Sequence, residues 1–354
     1  MSVFDEYIKV GNPSQKERSY AWRTGIGLQD VDGLKTSEYL LKTARKNIEG
    51  EITIEEAKGL IDSYYKSQSA RRNVELDRTE EADKVSARIA ELISEPSFSL
   101  TPTQYVAIHR RLFYGIYKFA GRIRDYNITK NEWVLRGKTV YYASFDTISD
   151  TLDYDLNQER NFNYQGLSAA DAIKHIVRFC SNLWQIHAFG EGNTRTTAVF
   201  VIKYLRALGF NVDNDVFALN SWYFRNALVR ANYTDIQEGV AENTVFLEHF
   251  FRNLLLGDQF PLKNREMHLD WQEELADSKS ANLLPFDSSK CKSCTLEELA
   301  VLRVISENPS ATQKEIASAI RKSERTVKAI TVSLTQKGLI TRENGKRFGT
   351  WKIL

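Results

Sequence analysis

Six prolines and 18 glycines are all that punctuate 354 residues, so breaks are few and long helices are expected over most of the chain. Apolar spacing agrees with this. Residues 36–66 read as two helices around Gly50, the first capped by Ser37 and the second opened by a Thr53–Glu56 capping box. The run 79–94 repeats the device, with Thr79 as cap and Val85, Ile89, Leu92 and Ile93 on one face. Helical periodicity returns at 102–119, 168–188, 193–208, 220–231 and 245–256. Residues 127–143 differ: two stretches rich in Val, Tyr and Trp flank Arg136-Gly137-Lys138, which predicts a β-hairpin.

Composition narrows the class. Hydrophobic residues make up 42% and charged residues 27%, and 48 Lys+Arg against 46 Asp+Glu leave a net charge of +2. No global field therefore points to nucleic acid or a membrane. No apolar run approaches the ~18 residues of a membrane span, and residues 1–10 carry Asp5, Glu6 and Lys9 instead of an apolar signal core. Three cysteines do not make a disulfide framework. A cytoplasmic protein of several domains, with no membrane partner, is the expectation. Cys291 and Cys294 have half of a zinc-site spacing, but without a second pair they read as linker thiols, and Cys180 reads as core.

The most informative segment is His187-Ala188-Phe189-Gly190-Glu191-Gly192-Asn193-Thr194-Arg195-Thr196, set between two apolar helices. A helix beginning at Asn193 offers unpaired N–H groups and the positive end of its dipole to an anion. Gly192 lets backbone approach a phosphate, and Arg195 can add a charge-assisted contact. Glu191 suits a divalent metal bridging phosphates, and His187 suits a general base. The bland alternative is a helix–loop–helix with a buried histidine and a surface Glu–Arg pair.

The segment resembles the signature of the Fic family, H-x-F-x-[DE]-G-N-G-R-x-x-R. His187, Phe189, Glu191, Gly192, Asn193 and Arg195 match, Thr194 replaces the second glycine and Ala198 the second arginine. Upstream, Leu112-Phe113 and Tyr117 through Arg124 resemble the stretch before that family's flap. The resemblance covers about residues 100–255. It implies a mainly α fold with a β-hairpin flap and transfer of AMP from ATP, with magnesium, to a Ser, Thr or Tyr hydroxyl of a protein. In that reading His187 is the base, Glu191 positions the metal, and Gly192, Asn193, Thr194 and Arg195 hold phosphates. The flap with Val140 and Tyr141 docks the target segment, although an ordinary two-stranded edge stays open. Tyr223 and Asn226, beside Trp222, fall where related proteins line the adenine pocket; an aromatic pair on a helix is as readily core.

Family members use the second arginine on the γ-phosphate, and inhibited members pair it with a glutamate. Residues 31–57 weakly resemble their small inhibitory modules, with Leu28-Gln29-Asp30-Val31-Asp32-Gly33 carrying Asp32 in place of that glutamate. With Ala198 there is no second arginine to hold, so a weakened clamp and a nearly silent Asp32 are expected. A plain helical buttress is the alternative.

Residues 295–354 resemble a winged helix-turn-helix, a small α+β unit with capping signals at Thr312 and Ser323 and a hairpin turn at Asn344-Gly345. It holds 11 Lys+Arg against 6 Asp+Glu, a local excess of 11 − 6 = +5. DNA is the expected partner, through Arg325, Thr326 and Lys328 on the recognition helix and Lys346 and Arg347 on the wing; a protein-docking surface is the alternative. The expected division is a helical, inhibitory module over 1–99, the Fic domain over 100–257, a linker with some helix over 258–294 and the winged helix over 295–354. A DNA-binding regulator whose Fic fold senses nucleotide, or moves another phosphate-containing group, remains a rival function. A homodimer is left open.

Overall fold

The computed structural model describes residues 4–67, 74–210, 212, 215–271, 294–320, 322–343 and 349–354. It is mainly helical. The N-terminal part contains α1 (Asp5–Val10), α2 (Pro13–Gly27), α3 (Glu38–Glu49), α4 (Ile54–Ser67) and α5 (Val74–Ser94). Ser37 accepts from Leu40 N, Gly50 closes α3 at φ 84°, and Thr53 and Glu56 form their reciprocal cap. Thr79 is not a cap. The helix starts at Val74, and the Thr79 hydroxyl donates back to Glu75 O inside it.

Two glycines fix where α2 ends. A Cβ on Gly25 would lie 2.4 Å from Ser86 O on α5. One on Gly27 would lie 2.0 Å from Ala218 O on α10 (Val216–Leu219). Both contacts are with backbone, so only glycine permits this approach. From here a 3-10 turn, Leu28–Asp32, is laid against the rest of the molecule and stopped by Gly33 at φ 62°.

The central part holds α6 (Pro102–Phe113), α7 (Ile148–Asn161), α8 (Ala169–Ile186), α9 (Asn193–Ala207), α11 (Ser221–Ala231) and α12 (Val245–Leu256). One apolar core runs through both parts, from Phe4, Trp22 and Leu40 to Phe189, Phe200 and Phe251. The run 102–119 stops being helical at Phe113, and Gly115 turns the chain at φ 73°.

The expected hairpin doubles back without forming strands. Glu132 N bonds Lys138 O and Gly137 N bonds Glu132 O, both at 3.0 Å, around a 3-10 turn, Trp133–Leu135. Val134 and Leu135 are adjacent and both fully buried, which a two-stranded hairpin with one face in solvent does not allow.

The C-terminal unit has its own core of Val301, Leu302, Ile316, Val327, Leu334 and Trp351. Its helices are α13 (Leu296–Glu307), α14 (Gln313–Ala319) and α15 (Glu324–Gln336), followed by antiparallel β1 (Ile340–Glu343) and β2 (Thr350–Ile353) in register Ile340 to Ile353. Cys294 is buried and disulfide-bonded, so it is no free linker thiol; Cys291 lies outside the described residues. The Cys294 carbonyl accepts from Ala169 N at 2.8 Å, and Leu296 joins the main core. No helix among the described residues is long and apolar enough to cross a membrane.

Candidate active site

The site forms where α8 stops and α9 starts. His187 ends α8 in the left-handed conformation, φ 50°, a strained state for a non-glycine residue that costs on the order of 1–3 kcal/mol and needs support from its surroundings. Arg124 supplies it. Its Nε donates to His187 O at 2.8 Å and its Nη1 to Tyr126 O at 2.6 Å. The imidazole lies against Tyr142, ring centres 4.0 Å apart, and edge-on to Trp184. It is 6% exposed, and its Nδ1 has no hydrogen-bond partner. Burial, reinforced by the charges of Lys130 and Arg124, holds its pKa well below 6.5. His187 is therefore a neutral base at physiological pH.

The loop after it is pinned from two directions. Asn193 accepts from Phe189 N at 2.9 Å and donates to Phe189 O at 2.6 Å, so its amide serves the loop, leaving the backbone N–H for an anion. From below, His109 accepts from Gly121 N through Nδ1, which places its proton on Nε2 to donate to Glu191 O at 3.1 Å. The same ring stacks on Phe189 at 3.7 Å. Gly192, at φ 78°, has Phe113 where a Cβ would be, 2.4 Å away. The Thr194 hydroxyl accepts from Trp184 Nε1 at 2.9 Å. The first-turn N–H groups of α9 have no acceptor within the helix.

A cavity of about 40 Å³ opens here, lined by Asp32, Lys130, Glu132, His187, Glu191 and Arg225, among others. Ligand pockets measure roughly 300–1,000 Å³, so the site is covered in this state. Asp32 on the 3-10 turn is part of the cover, and it does find a cation. It pairs with Arg195 at 2.9 Å, which corrects the expectation that Ala198 leaves it nothing to hold. Arg195 is 1% exposed and is also bound by Glu81 at 2.7 Å, Tyr117 and Gln29. Burial acts to lower its pKa, but Asp32, Tyr117 and Glu81 raise it on balance. Ala198 is fully buried within α9.

Other expected residues fall elsewhere. Tyr223 donates to Phe246 O, and Asn226 to Asn264; both are buried and neither lines the cavity. Val140 is buried and Tyr141 is 81% exposed on the doubled-back segment. Glu191 is half-exposed and ion-paired to Lys130. As a magnesium ligand it fits as one protein oxygen completed by substrate phosphates, since the described residues hold no cluster of three metal-binding side chains. On α15, Arg325 and Lys328 are exposed and Thr326 is half-buried beside Ser323; Lys346 and Arg347 lie outside the described residues. Sequence reading assigned no role to Lys130, Glu132, Arg225, His109 and Glu81, which come from four separate segments. Arg124 ends the stretch that carries the upstream resemblance.

Two protein families match parts of the chain. The Fic/DOC family matches residues 99–205 and the MarR family residues 294–347. The protein adenylyltransferase VbhT of Bartonella schoenbuchensis is 25% identical over 158 residues, 39% of this chain and 32% of VbhT. The probable protein adenylyltransferase y4lH of Sinorhizobium fredii is 27% identical over 161 residues, 42% of this chain and 73% of y4lH. The chain thus spans about a third of VbhT's length. A crystal structure of a Fic family protein from Desulfovibrio desulfuricans G20 aligns with 100% of this chain and 91% of its own, at 13% identity and a TM-score of 0.42. The chain carries a Fic domain over residues 99–205, followed by a MarR-type winged-helix domain over 294–347.

Proposed function

We propose that the Fic domain transfers AMP from ATP to a Ser, Thr or Tyr hydroxyl of a protein. The observation that carries this is a neutral His187 with an unpartnered Nδ1, in one cavity with Glu191 and the start of α9. His187 takes the proton of the target hydroxyl as that oxygen bonds to the α-phosphorus. The bond from the α-phosphorus to its bridging oxygen breaks, and pyrophosphate leaves. The N–H groups of Gly192, Asn193, Thr194 and Arg195 stabilise charge on the phosphates, since phosphoryl-type transfer rests mainly on positioning and electrostatics. Glu191 would hold magnesium, which when bound neutralises phosphate charge. Tyr141 and its neighbours present the target segment. Asp32 and its turn cover the site and inhibit until they withdraw; Tyr223 and Asn226, on the same helix as Arg225, border the nucleobase in this reading.

α-Labelled ATP should label protein, and His187→Ala should abolish it. Because the neutral form is active, labelling should hold from pH 8 to about 6.5 and fall only in more acid solution, since the folded pKa lies below 6.5. Label surviving in His187→Ala would remove His187 as base.

A second activity, DNA binding, is supported by the exposed Arg325 and Lys328 on the first turns of α15. Each alanine substitution there should weaken binding across sequences and reduce the salt slope by about 1 if the contact is to phosphate. Binding should survive His187→Ala.

A further inference from the structure

The charge balance of the cavity leaves a question about the outer phosphates. Arg195 is buried and already matched by Asp32 and Glu81, and position 198 carries a buried alanine. Neither supplies positive charge to the cavity as it stands. Two other cations border it: Lys130, just before the doubled-back segment, and Arg225 on α11.

We infer that Lys130 and Arg225 form the cationic cradle for the β- and γ-phosphates of the donor nucleotide, replacing the arginine absent at 198. This rests on the transfer reading above for the identity of the ligand, a nucleoside triphosphate, and not for the existence of the anion site. Each cation is paired, but with an acid that has somewhere else to go. Arg225 holds Glu132 at 2.7 Å, and Glu132 also accepts from Tyr142 Oη at 3.2 Å. Lys130 holds Glu191, whose side chain is 53% exposed and can turn to water or to a metal ion. The Arg225 head group and the Lys130 backbone are held independently of those pairs. The Arg225 guanidinium lies over the Trp222 ring at 5.1 Å, and Lys130 N donates to Thr139 Oγ1 at 3.0 Å. An arriving polyphosphate therefore exchanges one anionic partner for another without reorganising the backbone. The start of α9 and the unpartnered His187 Nδ1 line the same cavity as the two cations, so phosphates bound there share it with the base.

The test is calorimetric titration of the full chain with ATP, ADP, AMP and inorganic pyrophosphate, repeated in Asp32→Ala, where the cover is reduced. Lys130→Met and Arg225→Gln should each weaken ATP and pyrophosphate at least tenfold and leave AMP within threefold. Arg225→Lys keeps a partner for the buried Glu132, so it guards against misfolding; it should lose less, with an unchanged thermal midpoint. Unchanged ATP affinity in both Lys130→Met and Arg225→Gln would overturn the inference, as would equal losses for AMP and ATP, or no binding of ATP in the Asp32→Ala background. Binding that depends on both cations while no AMP is transferred would refute the transfer reading and leave the cradle standing.

Discussion

His109 shows how one buried side chain sets the acid limit of the site. Burial lowers its pKa to about 4, against ~6.5 in an unfolded chain. The unfolded state therefore takes up the proton first. The neutral ring's contribution is complete above pH 6.5 and is lost as pH falls from there toward 4, by up to about 3 kcal/mol. Urea unfolding at pH 7.5, 5.5 and 4.5 should show that slope, and His109→Phe, which keeps the stack on Phe189, should flatten it. Asp32 invites the opposite kind of test. Its side chain is 37% exposed, and Arg195 keeps Glu81, Tyr117 and Gln29 when it is gone. Asp32→Ala should cost less than ~1 kcal/mol of stability while raising ATP affinity about tenfold, a gain of ~1.4 kcal/mol, measured by calorimetry.

At the level of elements, the end of α2 decides where the cover sits. Gly27→Ala forces a Cβ into Ala218 backbone and should cost about 1–3 kcal/mol as overpacking, read from the denaturant midpoint. What sequence made legible follows the same division between local and distant. Caps at Ser37, Thr53, Thr312 and Ser323 are written within four residues, and the structure keeps them. The His187-to-Arg195 segment was legible because it is contiguous and carries the motif of the family resemblance, and the structure sets His187 at the end of α8 with α9 starting at Asn193. The partners of that segment were not, because Lys130, Glu132 and Arg225 meet it only through tertiary packing. The doubled-back segment failed as a hairpin for a related reason: residue types favoured strands, but burying Val134 and Leu135 together decided otherwise. α2 and α7 went unread because polar residues dominate their sequences.

The described residues form two apolar cores that meet in a seam at Leu296, at Leu299, which packs against both, at Gly209 beside Ile320, and through the Ala169–Cys294 bond. Leu296→Asp should loosen that seam. Calorimetric unfolding should then show the winged-helix transition separating to lower temperature, with the Fic-domain transition nearly unmoved. A single unshifted transition would mean the seam contributes nothing.

The seam also reaches α8. Its first residue, Ala169, is bonded to the winged-helix unit, and its C-terminal cap is His187. The helix itself has 18 residues, about 27 Å of continuous helix at ~1.5 Å per residue. One continuous helix therefore joins the bond to the winged-helix unit with the histidine cap, so the two ends of the molecule's chemistry share a single packed element.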